Sequence, residues 1–450
     1  MNPSGDRSII LAVALGIAVA PINGTMIIVA LPEIMREMRV DASQAGWLVT
    51  AYLIALAAGA PIAGKIGDRL GRRAPFLAGM ALFALGSLAS TFAGSFWLLL
   101  LLRVVQAVGG VVAWSNGSAV IREVITPGSR ATAMGFIAMV VSLAAAVGPA
   151  VGGILAGYGW RLIFLASVPV CFVAVLLAAR SFPAAPARGD AARFDLPGAV
   201  VLGLILACGA WTLIQGSRVL EAPVLLLVWV VLAGAVAAFL RAERRHPDAI
   251  LDPRLFKHRP FAAANIAGAT TSLAWYAIFL SLPLLEGALR GSRQAGFELM
   301  AFTVPVLLLA PVGGRLADRF GRRFPPSIGF AMLALGALHL ALTAGAGGPL
   351  RVLALVVAGS GQGLANAGLE TAALESLPRH LAGTASGVFS ASRNFGSIVG
   401  SSLVASLVVA GQRETFTPVF WAVVGAAVIS TAAALSLHTY PPAETQGAQQ

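Results

Sequence analysis

Charge is what this chain of 450 residues has least of. Asp, Glu, Lys and Arg make up 11% of it and hydrophobic residues 58%, where a soluble domain carries about 25% charge. With a mean hydropathy of +0.85, such a chain cannot dissolve as a globule and needs lipid as its solvent. Cysteine is nearly absent. Cys171 and Cys208 both lie inside apolar runs, which argues against a structural disulfide or a thiolate metal site. There is no P-loop, no cluster with metal-ligand spacing and no hydrolytic triad, so the sequence implies neither ATP, a metal, a cofactor nor an enzyme. A receptor or scaffold would need long extramembrane regions, and these are missing too. The 31 basic residues outnumber the 19 acidic ones, for a net charge of +12. They sit in short loops between apolar runs and form no soluble basic face. Headgroups and topology explain them better than nucleic acid does.

What is there in abundance is glycine, 50 residues of it, which suits helices that approach closely in a bilayer. A bilayer core of about 30 Å takes about 20 apolar residues as a helix. That ruler predicts an all-α membrane protein with fourteen spans, near 9–31, 46–63, 74–93, 96–121, 131–156, 161–179, 196–215, 222–240, 261–284, 296–313, 326–346, 351–374, 385–410 and 416–437. The apolar start at Ile9 is read as the first span and not as a cleaved signal peptide, because the run continues to Pro32.

One basic stretch occurs twice. Residues 64–73 read Gly-Lys-Ile-Gly-Asp-Arg-Leu-Gly-Arg-Arg, and residues 314–323 read Gly-Arg-Leu-Ala-Asp-Arg-Phe-Gly-Arg-Arg. Gly64, Asp68, Arg69, Gly71, Arg72 and Arg73 recur as Gly314, Asp318, Arg319, Gly321, Arg322 and Arg323, at an offset of 250. A charged turn duplicated between apolar helices marks an internal repeat. It divides the chain into a six-helix bundle at 1–180, linkers with two extra helices at 181–260, a second six-helix bundle at 261–440 and a tail at 441–450. The repeat is pseudo-symmetric and the two middle helices stand outside it.

Orientation follows the basic residues. With the N-terminus inside, Arg36, Arg39, Arg161, Arg218, Arg290, Arg293, Arg351 and Arg413 fall outside, and Arg103 and Arg393 fall within spans. All other Lys and Arg fall in cytoplasmic segments. The expectation is a multi-pass protein of the plasma (inner) membrane, monomeric, with both termini cytoplasmic. Both copies of the repeated stretch then lie on that side. Their glycines permit a tight turn, and Asp68 and Asp318 can pair with the nearby arginines or with a helix end. Such a pair can hold helix ends in one state and release them in another; topology alone is the plainer alternative.

The repeated Gly-x-x-x-Asp-Arg-x-Gly-Arg-Arg resembles the loop signature of the major facilitator superfamily. Other stretches resemble its fourteen-helix drug:proton antiporter branch. These are Ala30-Leu31-Pro32, Trp47-Leu48-Val49-Thr50-Ala51-Tyr52, Arg103-Val104-Val105-Gln106, the Gly148-Pro149-Ala150-Val151-Gly152-Gly153 run, Gly159-Trp160-Arg161 and the 255–261 segment. The resemblance covers nearly the whole chain. It implies the major facilitator fold and proton-coupled export, multidrug-type, of small amphipathic or cationic compounds by alternating access. A specific metabolite or lipid-like cargo is the alternative. The proton gradient would be the energy source, and a small-molecule substrate and membrane lipids the partners. Gly148, Pro149, Gly152 and Gly153 match a stretch typical of export carriers, and Arg103 matches an arginine of proton coupling.

Related proteins of this branch often carry Asp in the first span where this chain has Asn23. Asn does not titrate, so a coupling carboxylate must lie elsewhere. Glu370, deep in the twelfth span, is the first candidate and Glu298 the second; a structural role for Glu370 is the alternative. Arg103 lies about 10 Å along its helix, with Gln106 on the same face. Tyr52, Trp114, Trp275 and Tyr276 are candidates for a cavity wall that takes apolar or cationic guests. Asn23, Gln106, Asn116, Gln362 and Asn366 are its candidate polar lining. Asn116 and Asn366 stand 250 apart, which suggests a symmetric pair across a cavity.

Overall fold

The computed structural model describes residues 3–183, 196–216, 219–243, 253–343, 347–377 and 382–437. The linker stretches 184–195 and 244–252 and the tail 441–450 lie outside the described residues. Fourteen long helices are present: α1 (Pro3–Met38), α2 (Ala42–Leu70), α3 (Arg73–Thr91), α4 (Phe96–Val124), α5 (Pro127–Tyr158), α6 (Arg161–Ser181), α7 (Leu196–Trp211), α8 (Ala222–Glu243), α9 (Arg259–Leu282), α10 (Ser292–Phe320), α11 (Phe324–Leu342), α12 (Pro349–Glu375), α13 (Ala382–Leu407) and α14 (Thr417–Leu435).

Local chemistry sets several of the helix ends. Asp41 caps α2 by accepting from the Gln44 N–H at 2.8 Å, and the Gln44 side chain returns the bond to the Asp41 N–H. Ser95 caps α4 through the Leu98 N–H. Gly71 and Gly321, with φ of 76° and 86°, end α2 and α10 at the two copies of the repeated stretch. A side chain at either position would be strained there.

The chain forms two compact units. The first holds residues 1–208 with 286–296, and the second 209–285 with 297–450. In the first, α1 packs on α4, α5 and α6, and α3 packs on α4 and α6. In the second, α9 packs on α12, α13 and α14, and α11 packs on α12 and α14. The same neighbours recur, so each unit is one copy of the repeat. The two middle helices divide: α7 lies mostly with the first unit and α8 with the second.

Between helices in lipid, close approach replaces the hydrophobic effect as the source of packing. A Cβ built on Gly79 would lie 2.7 Å from the Gly109 carbonyl oxygen, and one on Gly109 would lie 2.6 Å from that of Gly79. The second unit repeats this crossing, with Gly329 and Gly361 at 2.3 and 2.1 Å. The matched glycines are offset by 250 on α11 and by 252 on α12.

Among the described residues, thirteen helices are long and apolar enough to cross a membrane. Ala382–Leu407 is not among them. It is rich in Ser and Gly, and Gly396 and Gly400 press it against α9, where a Cβ would meet the Ala269 and Leu273 carbonyl oxygens at 1.9 and 2.4 Å.

Candidate functional site

The repeated stretch builds the same three-residue cluster in each unit. In the first, Arg72 bonds Asp68 through Nη2 at 2.5 Å, Glu123 through Nε at 3.2 Å and the Gly64 carbonyl through Nη1 at 3.0 Å. In the second, Arg322 bonds Asp318 at 2.6 Å and grips Glu375 with Nε and Nη2, both at 3.0 Å. Hydrogen bonds that Arg322 donates to Glu375 and, less strongly, to Asp318 raise its pKa above the ordinary value against an opposing effect of burial. Arg73 reaches the Ala179 carbonyl at the end of α6, at 2.6 Å. Arg69, Arg319 and Arg323 are exposed. In the first copy Arg73 thus adds a tie to α6, while in each copy one arginine, Arg72 or Arg322, joins the aspartate to a glutamate. Its partner on the neighbouring helix, Glu123 or Glu375, is the residue that motif reading missed.

Asn116 belongs to this end of the first unit and is buried. Its Nδ2 donates to the Ala63 carbonyl at 3.1 Å and to that of Val112 at 2.9 Å. Its Oδ1 lies over Gly67, where a Cβ would come within 1.7 Å. Asn116 and Asn366 are also not equivalent. On α4 and α12 the repeat runs at 252, as Gly109/Gly361 and Glu123/Glu375 show, so Asn116 matches Gly368.

At the centre of the first unit a buried polar chain crosses four helices. Asn23 donates to the Ser167 hydroxyl at 3.0 Å and accepts from Arg103 at 2.6 Å. Arg103 also donates to Gln106 at 2.7 Å, and Gln106 donates to Ser87 at 2.9 Å. The Arg103 guanidinium stands 4.2 Å from the Tyr52 ring centroid. Arg103, Asn23 and Gln106 are fully buried and Tyr52 nearly so. Arg103 therefore does not snorkel outward. Asn23, Tyr52 and Gln106, expected as cavity lining, instead surround the guanidinium, whose donors need acceptors in a low dielectric.

The second unit arranges its polar groups differently. Thr271 on α9 donates to Gln362 at 2.7 Å, and Gln362 donates to Asn366 at 2.8 Å. Glu370 follows four residues on along the same face of α12. Burial falls along this stripe: Gln362 is buried, Asn366 half-buried and Glu370 exposed. Glu370 makes no hydrogen bond or ion pair with the described residues. It lies five residues from the end of α12. Beside Thr271 on α9, the half-buried Trp275 stacks on Phe279 with centroids 5.5 Å apart and tilts on Phe302 at 4.9 Å. Tyr276 is half-buried as well, and Trp114 in the first unit is 42% exposed.

Glu298 is not an open carboxylate. Arg351 donates to it in a short, buried ion pair that joins α12 to α10.

On α5, a Cβ at Gly148 would meet Thr25 Oγ1 at 1.9 Å and one at Gly152 would meet Met26 at 2.6 Å, so these glycines admit α1. Gly153 faces the other way, 2.7 Å from the Ser292 carbonyl by the same construction, and Gly296 lies 2.4 Å from the Pro149 carbonyl. Ser292 also donates to Glu33. A cavity of about 510 Å³ lies beside α5 and α6, but Leu155, Leu162, Leu165, Phe172 and its other walls are all apolar.

The profile of the Major Facilitator Superfamily matches residues 13–401 and, a second time, 264–450. The chain belongs to the major facilitator superfamily. It is 28% identical to the multidrug resistance protein Stp of Mycobacterium tuberculosis over 91% of this chain and 77% of that one. It is 27% identical to the tetracenomycin C resistance and export protein of Streptomyces glaucescens over 92% and 78%. A bacterial homologue of the human lysosomal transporter Spinster, solved inward-facing and unoccupied, matches with a TM-score of 0.71 at 17% identity, covering 98% of this chain and all of that one. The overlap of the two profile matches reflects the repeat that the glycine crossings and arginine clusters display in atoms. The protein is a multi-pass membrane transporter of this superfamily.

Proposed function

We propose that this chain exports small amphipathic compounds in exchange for protons, by alternating access in the plasma membrane, with both termini and both arginine clusters on the cytoplasmic side. The observation that carries the coupling reading is the α12 stripe. A titratable carboxyl with no internal partner, Glu370, ends a row of hydrogen-bonded amides that runs to the buried Thr271. A charge exposed within a span needs water, so Glu370 is open to proton exchange while the amides behind it are dry. Trp275 and Tyr276 offer aromatic surface one turn away from Thr271, suited to an apolar or planar guest. The relatives named for multidrug resistance and for tetracenomycin export support an efflux direction. In each unit the Arg–Asp–Glu cluster braces helix ends, and its breaking and re-forming would accompany the switch between states.

The test is transport in proteoliposomes with an imposed pH gradient. Wild type is expected to accumulate an amphipathic fluorophore only with the gradient, and Glu370→Gln to lose that dependence while still inserting. Gradient-driven transport at wild-type rate by Glu370→Gln would exclude Glu370 as the coupling group.

A further inference from the structure

Within the sequence-predicted spans 351–374 and 385–410 of the second unit, Glu370 on α12 and Arg393 on α13 have no hydrogen-bond or ion-pair partner among the described residues. The proposed coupling uses the first and leaves the second unexplained. Arg393 is the twelfth residue of Ala382–Leu407, about 17 Å along the helix at 1.5 Å per residue. Its side chain is exposed and makes no hydrogen bond or ion pair with the described residues. Every other described arginine inside a span is engaged where it is buried: Arg103 by amides and Arg351 by Glu298.

Arg393 is not alone on its face. Ser386, Ser390, Arg393 and Asn394 fall at helical spacing on one side of α13. The serines are exposed and Asn394 is half-buried, and none of the three side chains has a hydrogen-bond partner among the described residues. Gly396 and Gly400, three and seven residues after Arg393, press the adjoining edge against α9, the Arg393 Cγ lies 3.4 Å from a Cβ built on Gly268 of α9, and Val388 and Ala385 are buried. So α13 is fixed to α9 along one edge of a polar face, and the Arg393 head emerges exposed beside that contact. This accounts for its absence among the apolar spans. A guanidinium facing hydrocarbon is costly, and a helix with three further polar groups beside it is not a lipid-facing one. The equivalent helix of the first unit is built otherwise: α5 exposes Phe136, Met139 and Leu143.

We infer that Arg393 anchors an acidic group of the cargo, so that the transported compounds are amphipathic acids or zwitterions rather than simple cations. A guanidinium presents paired donors that fit a carboxylate, sulfonate or phosphate in bidentate fashion. Ser390, one turn before it, and the adjacent Asn394 can supply further hydrogen bonds to that group. This rests on the export reading, whose cargo site it specifies. An anionic lipid headgroup has the same chemistry and is the other source of such a group.

The experiment measures binding to the full chain in phosphatidylcholine nanodiscs by intrinsic tryptophan fluorescence. The probes share one ring system: 1-naphthaleneacetic acid, its methyl ester and 1-naphthylethylamine. The acid is expected to bind about tenfold or more tighter than ester or amine, the size of one charge-assisted hydrogen bond. Arg393→Gln should bring the acid to the affinity of the ester, and Arg393→Lys should keep part of the preference. Equal affinities for acid and ester in wild type, or an undiminished preference in Arg393→Gln, overturn the inference. If Arg393→Gln binds no probe, the lysine variant decides: a retained acid preference supports the anchor and its loss overturns it. Adding phosphatidylglycerol should leave acid binding unchanged; displacement of the acid by that lipid assigns the site to headgroups and overturns a cargo role. The export reading is read separately, as flux of the same probes in proteoliposomes. Absence of flux with intact acid preference would remove export and leave the anion site standing.

Discussion

The two units of this protein share a skeleton and differ in what they do with charge. Both cross their third and fourth helices on paired glycines, and both brace the adjoining turn with an arginine held by an aspartate and a glutamate. At the centre the likeness stops. The first unit buries Arg103 among Asn23, Gln106 and the Tyr52 ring, a neutral cage. The second buries an ion pair, Glu298 with Arg351, and leaves Glu370 and Arg393 open. With the repeat in register, Glu298 stands where the first unit has Leu48, and Arg351 where it has Leu99; both leucines are fully buried. The same pair of positions thus carries two apolar side chains in one unit and two opposite charges in the other. Packing constrains the repeat strictly, because a backbone crossing tolerates no added atom. Charge is free to diverge, provided each buried ion finds partners.

The largest effect should come from breaking the ion pair on one side. Arg351→Met leaves the Glu298 carboxylate buried without its counter-ion, and about 3–5 kcal/mol should be lost. Arg103→Met strands amide oxygens instead of a charge, at roughly 1–3 kcal/mol. The double variant Glu298→Leu with Arg351→Leu copies the first unit and should unfold at or above the wild-type temperature, since a buried pair often gives way to apolar packing without loss. Thermal unfolding in detergent ranks the three. A larger fall for Arg103→Met than for Arg351→Met would show that the neutral cage, not the ion pair, is the more demanding arrangement.

A second contrast lies where α2 meets α4. The first unit places Gly67 beneath Asn116; the second places Ala317 beneath Gly368, 3.3 Å from the position of a Cβ there. The small partner has changed sides. Gly67→Ala alone drives a methyl into the Asn116 carboxamide and should cost about 1–3 kcal/mol. Adding Asn116→Gly recreates the second unit's contact and should recover part of that loss. The recovery is incomplete, because the bond to the Ala63 carbonyl goes with the amide and glycine weakens the helix by up to about 1 kcal/mol. Additive losses in the double variant would mean that the two sites are not in the contact described.

These contrasts explain what could be read from the chain alone. The duplicated turn was legible because its glycines, Asp and Arg recur at one offset, and glycine at Gly71 and Gly321 is required by a positive φ. The glutamates that complete the clusters were visible only as isolated acids at helix ends. Each follows its arginine by 51 or 53 residues, and the added pair falls between α11 and α12, so a constant offset misaligns everything beyond it. The same slip paired Asn116 with Asn366. Whether Arg103 was buried or snorkelled could not be read from α4 by itself, because its partners come from α1, α2 and, through Gln106, α3. The polar face of α13 was open to reading, since its serines and Arg393 fall at helical spacing; a length ruler passes over that pattern.

The smallest difference should be between the two braces. Arg322 grips Glu375 with two donors at 3.0 Å, while Arg72 reaches Glu123 with one at 3.2 Å. Both glutamates are partly solvated, with side chains 44% and 33% exposed, so screening holds either coupling to about 1 kcal/mol or less. Double-mutant cycles with Arg→Gln and Glu→Gln should give the larger coupling for 322–375. The cation also sets a pH expectation. The pKa of Arg322 is raised in the folded protein, so its contribution is fully present below the unfolded-state value and is lost only as pH rises through the folded one. Both lie far above neutrality, so the stability gap between wild type and Arg322→Gln should stay level from neutral to mildly alkaline pH. A gap that closes over that interval would mean that another group titrates in the brace. Equal couplings in the two units would mean that the second donor adds nothing in water-exposed geometry.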